Sequence, residues 1–441
     1  MIDLKVIRSQ PDAVRAGCAK KHIQCDLDRI LELDAEIRSI APGVDDLRAQ
    51  QKAAGKGMAK ATPEERAVLL DEQKALKEKL RGIEVSLNEL QAELKPLLLT
   101  VPNLPAAEVP EGLDDTDNVE LEKWGTPREF DFEALDHVAL GEAQGWLSIE
   151  TAARIAGSRN YVTRGELARL EHAVLRYALD MMIERGFEPA VVPVLVRPEP
   201  LWGTGYFPGG GDQIYKTDDR DDLYLVGTAE VPLTSLHAGE ILKASDLPIR
   251  LVAQSTCFRR EAGTYGKDTR GLYRVHQFQK VEQVVIDRAD DALSLQHHQA
   301  ILQNALDLLQ AFELPYRVVN VCGGDLGAPQ IQKFDVETWM PSREGYGETH
   351  SASRFHQYQS RRLSIRYRDD EGKVHFCHTL NNTVAASSRI LIALLENHQE
   401  ADGRVRVPAA LQPHMGGAEW IGQPFRKAAE ESDESTETEA S

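Results

Sequence analysis

Apolar residues recur at alternating spacings of three and four in two runs near the amino terminus. Ile30, Leu33, Ile37, Ile40, Val44 and Leu47 form one seam, and Leu76, Leu80, Ile83, Leu87, Leu90, Leu94 and Leu97 form another. This is the period of helices that bury one stripe against each other. Between the runs, Gly55 and Gly57 weaken a helix, and Thr62-Pro63-Glu64-Glu65 starts a new one, with Thr62 as N-cap, Pro63 at the first helical position and Glu65 closing a capping box. The pattern predicts an antiparallel helical hairpin over about residues 27–98. Arms of about 30 residues would project on the order of 40 to 45 Å. Pro42-Gly43 falls inside the first seam. An interior proline costs roughly 3 kcal/mol, so a kink or break is expected there.

Beyond the second seam the pattern changes. Val101-Pro102-Asn103-Leu104-Pro105 and the acidic stretch through Trp124-Gly125 read as a linker, ending a first domain at residue 105. Leu167, Leu170, Val174, Leu175 and Leu179 mark an amphipathic helix from about 164 to 182. Short apolar runs then alternate with turns: Val191 to Val196, Leu223 to Val226, Ile249 to Gln254, His276 to Ile286, Tyr316 to Val321, Phe334 to Trp339 and Leu363 to Tyr367. Regular strand–helix alternation is missing, so the fold class is α+β, a largely antiparallel sheet with flanking helices over residues 106–426. A buried helix at Ile390 to Glu396 follows. Residues 427–441 form an acidic tail without aromatic or branched apolar residues, expected to be disordered.

Composition narrows the function. The chain has 441 residues, 42% of them apolar, and no run approaches the roughly 18 to 20 apolar residues of a bilayer span. A cytoplasmic protein without membrane attachment is expected. Its five cysteines (Cys18, Cys25, Cys257, Cys322, Cys377) never form Cys-x-x-Cys pairs, so free thiols and no zinc are expected. The net charge of −19 argues against nucleic-acid binding by the whole chain, yet residues 1–105 are nearly balanced in charge. Lys52, Lys56 and Lys60 near the hairpin turn are candidate nucleic-acid contacts. The plainer reading is a spacer or dimerisation coiled coil with a solvated charged face.

Chemistry concentrates in Phe258-Arg259-Arg260-Glu261, a glycine-containing loop, and Arg274-Val275-His276-Gln277-Phe278-Gln279-Lys280-Val281-Glu282. The two ends read as antiparallel strands joined by a long polar loop. An arginine at the strand end can neutralise a phosphate, Phe278 can stack on a purine, and Glu282 offers a fixed acceptor. This hairpin closely resembles motif 2 of the class II aminoacyl-tRNA synthetases, in the form used by seryl-tRNA synthetases (about residues 258–282). Asn381-Asn382-Thr383 followed by Arg389 resembles motif 3 (about 381–396), and Gly186-Phe187 leading to Val192-Pro193 resembles the dimer-forming motif 1. Thr228-Ala229-Glu230 matches the family's Thr-x-Glu element, and Glu348-Thr349-His350-Ser351 aligns with its ATP-binding Glu-x-x-Ser. The amino-terminal hairpin is similar to the family's tRNA-binding arm.

The resemblance implies a homodimeric enzyme that activates L-serine with ATP and Mg²⁺ and charges tRNA(Ser), with tRNA(Sec) a second candidate. It implies that Arg259, Arg389 and Glu348 are catalytic, Arg259 holding the α-phosphate and serine carboxylate and Arg389 clamping the far end of the triphosphate. Phe278 and Arg389 would sandwich the adenine, and Glu261 would read its amino group. Arg260, Val275, His276, Gln277, Thr349, His350 and Ser351 complete the implied ATP site, with Glu348 and Ser351 holding Mg²⁺. Thr228, Ala229, Glu230, Arg259, Glu282, Asn381 and Thr383 would bind serine. Arg260 stands where many relatives have serine, and Thr349-His350 also departs from the pattern; His350 is expected to face solvent rather than a metal. The alternatives are a class II synthetase for another amino acid and a binding paralogue without catalysis.

Overall fold

The computed structural model describes residues 1–58, 62–263 and 270–425; Lys60 and the acidic tail 427–441 lie outside the described residues. Two short helices, α1 (Leu4–Ser9) and α2 (Pro11–Lys20), precede the hairpin of α3 (Leu27–Met58) and α4 (Pro63–Thr100). The capping box forms as the sequence predicts: Thr62 accepts from the Glu65 backbone, and the Glu65 carboxylate accepts from the Thr62 backbone. The seams meet in two clusters. At the base, Ile30 and Leu33 pack with Leu90, Leu94 and Leu97; toward the tip, Val44 and Leu47 pack with Leu76, Leu80, Ile83 and Leu87. Arg29–Glu93 and Arg48–Glu84 ion pairs, both 2.8 Å, tie the helices in antiparallel register.

The break expected at Pro42 is absent, because α3 continues through it to Met58, also crossing Gly55. Losing one hydrogen bond costs roughly 3 kcal/mol, whereas each buried leucine or valine contributes about 1.5–3 kcal/mol. Seam contacts on both sides of Pro42 hold the two halves in one helical phase. Pro96 sits inside α4 in the same way.

The segment 101–125 is not a free linker. Asn103 donates its side-chain amide to the carbonyls of Pro329 (3.0 Å) and Phe355 (2.7 Å), and Lys21 donates to those of Gly327, Ala328 and Gln330. The hairpin domain is thereby anchored on the sheet domain. Val119–Trp124 forms an edge strand, β1. All six of its residues are exposed, so no buried face announced it in the sequence.

The other strands of the main sheet are β2 (Glu188–Pro189), β3 (Ile249–Phe258), β4 (Gln277–Asp287), β5 (Tyr316–Asn320), β6 (Gln332–Met340), β7 (Gly345–His356) and β8 (His378–Ala386). With β1 they make one eight-stranded sheet in the order β1-β5-β6-β7-β8-β4-β3-β2, antiparallel except where β2 meets β3. The sequence reading missed β7, whose run Gly-Tyr-Gly-Glu-Thr-His-Ser has little apolar character. Leu363 ends a helix instead of opening a strand. Helices α5 (Gly165–Glu184), α6 (Glu230–Ser235), α7 (Asp291–Ala311) and α8 (Ser387–His398) flank the sheet. Leu167, Leu170 and Val174 of α5 and Ile390 to Leu395 of α8 pack with Val281, Val285, Leu380 and Val384 of the sheet. This buried layer is a rigid floor for the polar residues on the other face.

Candidate active site

Strand β4 sets out the site by its period of two. Phe278, Lys280 and Glu282 share one face, at steps of about 7 Å. Gln277 and Gln279 face the other way and line a separate cavity with Asn160, Tyr161 and Glu171. Opposite β4, Glu282 pairs with Thr383 of β8 across a bulge in the ladder.

A cleft opens over this face, lined by Arg259, Glu261, Tyr273, Val275, Phe278, Lys280, Glu348, Thr349, Thr383, Ala386, Ser388 and Arg389. Arg259 leaves the end of β3, its N–H bonded to the His276 carbonyl at 2.9 Å and its guanidinium 5.3 Å over the Phe278 ring. His276 Nδ1 donates to the Arg259 carbonyl (2.9 Å), so this histidine fastens the hairpin rather than entering the cleft. Glu261 has a left-handed backbone (φ 51°), and its carboxylate accepts from Arg274 at 3.3 Å. Arg260 lies beside the cleft with its guanidinium over Tyr215.

Arg389, at the head of α8, donates to the Glu348 carbonyl (2.7 Å), to the Glu348 carboxylate (3.3 Å) and to the Tyr273 carbonyl (3.1 Å). Tyr273 is stacked between two guanidinium groups, Arg389 at 4.4 Å and Arg343 at 4.1 Å. Burial would raise the Glu348 carboxyl, but Arg389, Lys333 and Arg259 outweigh it and hold the group below its usual value. Behind Glu348, Asp335 pairs with Lys333 at 3.1 Å and with the Ser351 hydroxyl; burial first, then repulsion from Glu348, lifts Asp335 to about 6. The donors here are oxygens, which suits a hard cation such as Mg²⁺.

The expectation that His350 faces solvent is overturned. A bulge at Thr349 turns its ring into the sheet, 1% exposed, where Nε2 donates to the Val384 carbonyl (3.0 Å) and Nδ1 meets the Thr349 hydroxyl (2.9 Å). Burial lowers its pKa to about 4, so it is neutral.

At the far end of the β4 line lies a pocket of buried charge. Lys280 donates to the Thr228 hydroxyl at 2.7 Å and forms an ion pair with Glu282, to which the Thr383 hydroxyl donates at 3.4 Å. Glu230, at the start of α6, accepts from Tyr206 (3.0 Å) and Gln359 (2.7 Å), and Gln359 in turn accepts from Thr379 (2.7 Å). Burial, with Glu282 repulsion next, raises Glu230 to about 7. Asn381 lies two residues before Thr383 on β8, and its buried Nδ2 has no hydrogen-bond partner among the described residues. Ala229 is fully buried and packs in an apolar cluster with Leu233 and Leu251.

Sequence reasoning missed Lys280, Tyr206, Gln359 and Tyr273. The first was legible, since it alternates with Phe278 and Glu282; the others come from segments without a signal of their own. Of the arm lysines, Lys52 and Lys56 are exposed near the tip.

The chain matches the family model of the seryl-tRNA synthetase N-terminal domain over residues 1–105 and that of the tRNA synthetase class II core domain (G, H, P, S and T) over 215–398. It is 50% identical to the serine–tRNA ligase of Deinococcus radiodurans over 97% of this chain and 100% of that one. Among solved structures it is similar to seryl-tRNA synthetase from Pyrococcus horikoshii complexed with ATP (TM-score 0.89, 38% identity, 96% of this chain and 100% of that one). It is also similar to the cytoplasmic serine–tRNA ligase from Naegleria fowleri in complex with AMP (TM-score 0.86, 30% identity, 97% and 99%).

Proposed function

The chain belongs to the seryl-tRNA synthetase family, and from that premise we propose which of its groups carry each step. It is an aminoacyl-tRNA ligase that activates L-serine with ATP, releasing pyrophosphate, and transfers serine to tRNA(Ser). In the first step a serine carboxylate oxygen attacks the α-phosphorus while the bond to pyrophosphate breaks. No enzyme nucleophile is needed, so the protein contributes position and charge neutralisation.

The observation that carries the reading is the line Phe278–Lys280–Glu282 along one face of β4, about 14 Å long. The purine stacks on Phe278, with Arg389 above it and Glu261 at its amino group. Arg259, poised over Phe278, bridges α-phosphate and serine carboxylate. Arg389 is tied to Glu348 in this structure, so taking hold of the triphosphate and releasing Glu348 are one exchange. Glu348 and Ser351 would hold Mg²⁺, which neutralises phosphate charge when bound.

Serine occupies the end of the line. Glu282 and Glu230 take its ammonium, and Thr383, Thr228 and Asn381 complete the ring around ammonium and hydroxyl. Lys280 is an addition: already paired with Glu282, it holds that carboxylate in place. A site built to bond a hydroxyl rejects alanine by on the order of 10⁴–10⁵, because its polar groups would go unpaired. Threonine is excluded by size.

The arm supplies tRNA affinity through its exposed basic tip, Lys52 and Lys56 included, with tRNA(Sec) a further substrate. Homodimerisation uses the motif 1 region, where Val191 is fully exposed and Ile183 and Leu195 about 40% exposed. No described helix is long and apolar enough to cross a membrane; the enzyme works in the cytoplasm. ATP–pyrophosphate exchange across all twenty amino acids tests the pocket: serine alone should support exchange. Exchange with glycine, alanine or threonine but not serine would overturn the assignment.

A further inference from the structure

Cys18, in the last turns of α2, and Cys25, in the connection to α3, place their sulfurs 3.3 Å apart, while Cys257, Cys322 and Cys377 are each buried elsewhere. A disulfide needs about 2.05 Å, so the two sulfurs must close by only about 1.3 Å. Residues 21–26, which include Cys25, are turn and irregular chain outside the helical ladders of α2 and α3. Among them Lys21 sits on the carbonyls of Gly327, Ala328 and Gln330, so the pair lies where the hairpin domain is anchored to the sheet domain.

We propose that Cys18 and Cys25 are a reversible oxidation site that closes to an intramolecular disulfide at the foot of the arm, with hydrogen peroxide as oxidant. The two thiols are not equivalent. The contact between the two thiols, with the Arg15 charge beside Cys25, favours the thiolate at Cys25 over one at Cys18. Cys25 is half-buried and Cys18 buried. Cys25 is therefore the attacking thiolate and Cys18 the resolving thiol. The Cys25 sulfur attacks one peroxide oxygen; the S–O bond forms, the O–O bond breaks, and hydroxide leaves as water after taking a proton. The Cys18 sulfur then attacks the Cys25 sulfenic acid. The S–S bond forms, the S–O bond breaks, and the Cys18 proton leaves with the oxygen as a second water. Two thiols and one peroxide give one disulfide and two waters.

The test treats the full-length protein with hydrogen peroxide near neutral pH, then counts thiols in denaturant and maps peptides without reductant. Two of the five thiols should disappear into a Cys18–Cys25 cross-link, and dithiothreitol should restore both. Cys18→Ser should leave a sulfenic acid at Cys25 that dimedone traps, and Cys25→Ser should leave Cys18 reduced. Serine-dependent pyrophosphate exchange in both variants reports that they are folded, and the wild-type peptide map decides the question without them. Five intact thiols, or Cys25 oxidised to sulfinic acid beside an untouched Cys18, would overturn the proposal.

Discussion

The hairpin arm and the sheet face solve opposite problems with the same sequence. The arm is repetitive: its seam residues are interchangeable in kind, and it tolerates Pro42 and Pro96 because contacts on either side of each proline keep the helices in phase. The sheet face is singular. Glu282, Lys280, Thr228 and Thr383 hold one another at fixed distances, and Glu230 depends on Tyr206 and Gln359. A repetitive structure announces its shape and conceals its chemistry; a singular one does the reverse.

That contrast sets the scale of expected effects. Arg259→Ala and Arg389→Ala should each lower serine-dependent pyrophosphate exchange by about 10²–10³-fold, as loss of a preorganised donor to developing charge does, with an unchanged circular-dichroism spectrum. A normal exchange rate in either would remove it from the phosphate role. In the arm, Leu80→Ala should cost about 2 kcal/mol of local stability, read by hydrogen exchange along α4, yet leave serine activation untouched. Lost activation would mean the two regions are not independent.

Within the serine pocket the effect is a matter of pH. Burial, with Glu282 repulsion behind it, raises the Glu230 carboxyl to about 7 from an ordinary 4.5. Between those values the folded state binds more protons than the unfolded chain, so this group's contribution to stability falls as pH rises through that window. Above it, Glu230 is charged and ready for the ammonium. The serine KM should therefore fall from pH 6 to pH 8, and Glu230→Gln should raise KM and flatten the profile. An unchanged profile in the variant would place the titration elsewhere. Thr383→Val, which removes a long hydrogen bond to Glu282, should cost least, about 1 kcal/mol or roughly fivefold in serine KM.

Legibility in the sequence followed the same contrast. Heptads and the Thr62 capping box predicted the arm, and the motif residues Arg259, Phe278, Glu282, Thr383 and Arg389 were found because their types and order are improbable by chance. Lengths of polar chain were opaque. Strand β7 carries Glu348 and Ser351 yet has no apolar alternation, and β1 has no buried face. His350 was misplaced because a bulge at Thr349 reverses its side, and no local pattern encodes a bulge. Tyr206 and Gln359 reach Glu230 from segments distant in sequence, a contact that only the tertiary fold creates.

The central claim is that activation belongs to the sheet face and tRNA affinity to the arm. Removing residues 42–86 and closing α3 onto α4 with a short glycine–serine turn spares the base cluster of Ile30, Leu33, Leu94 and Leu97. In that protein, pyrophosphate exchange and aminoacylation at low tRNA concentration should be measured side by side. Exchange at the rate of the intact enzyme with aminoacylation strongly reduced is the expected result; both falling together, or aminoacylation unchanged, would contradict it.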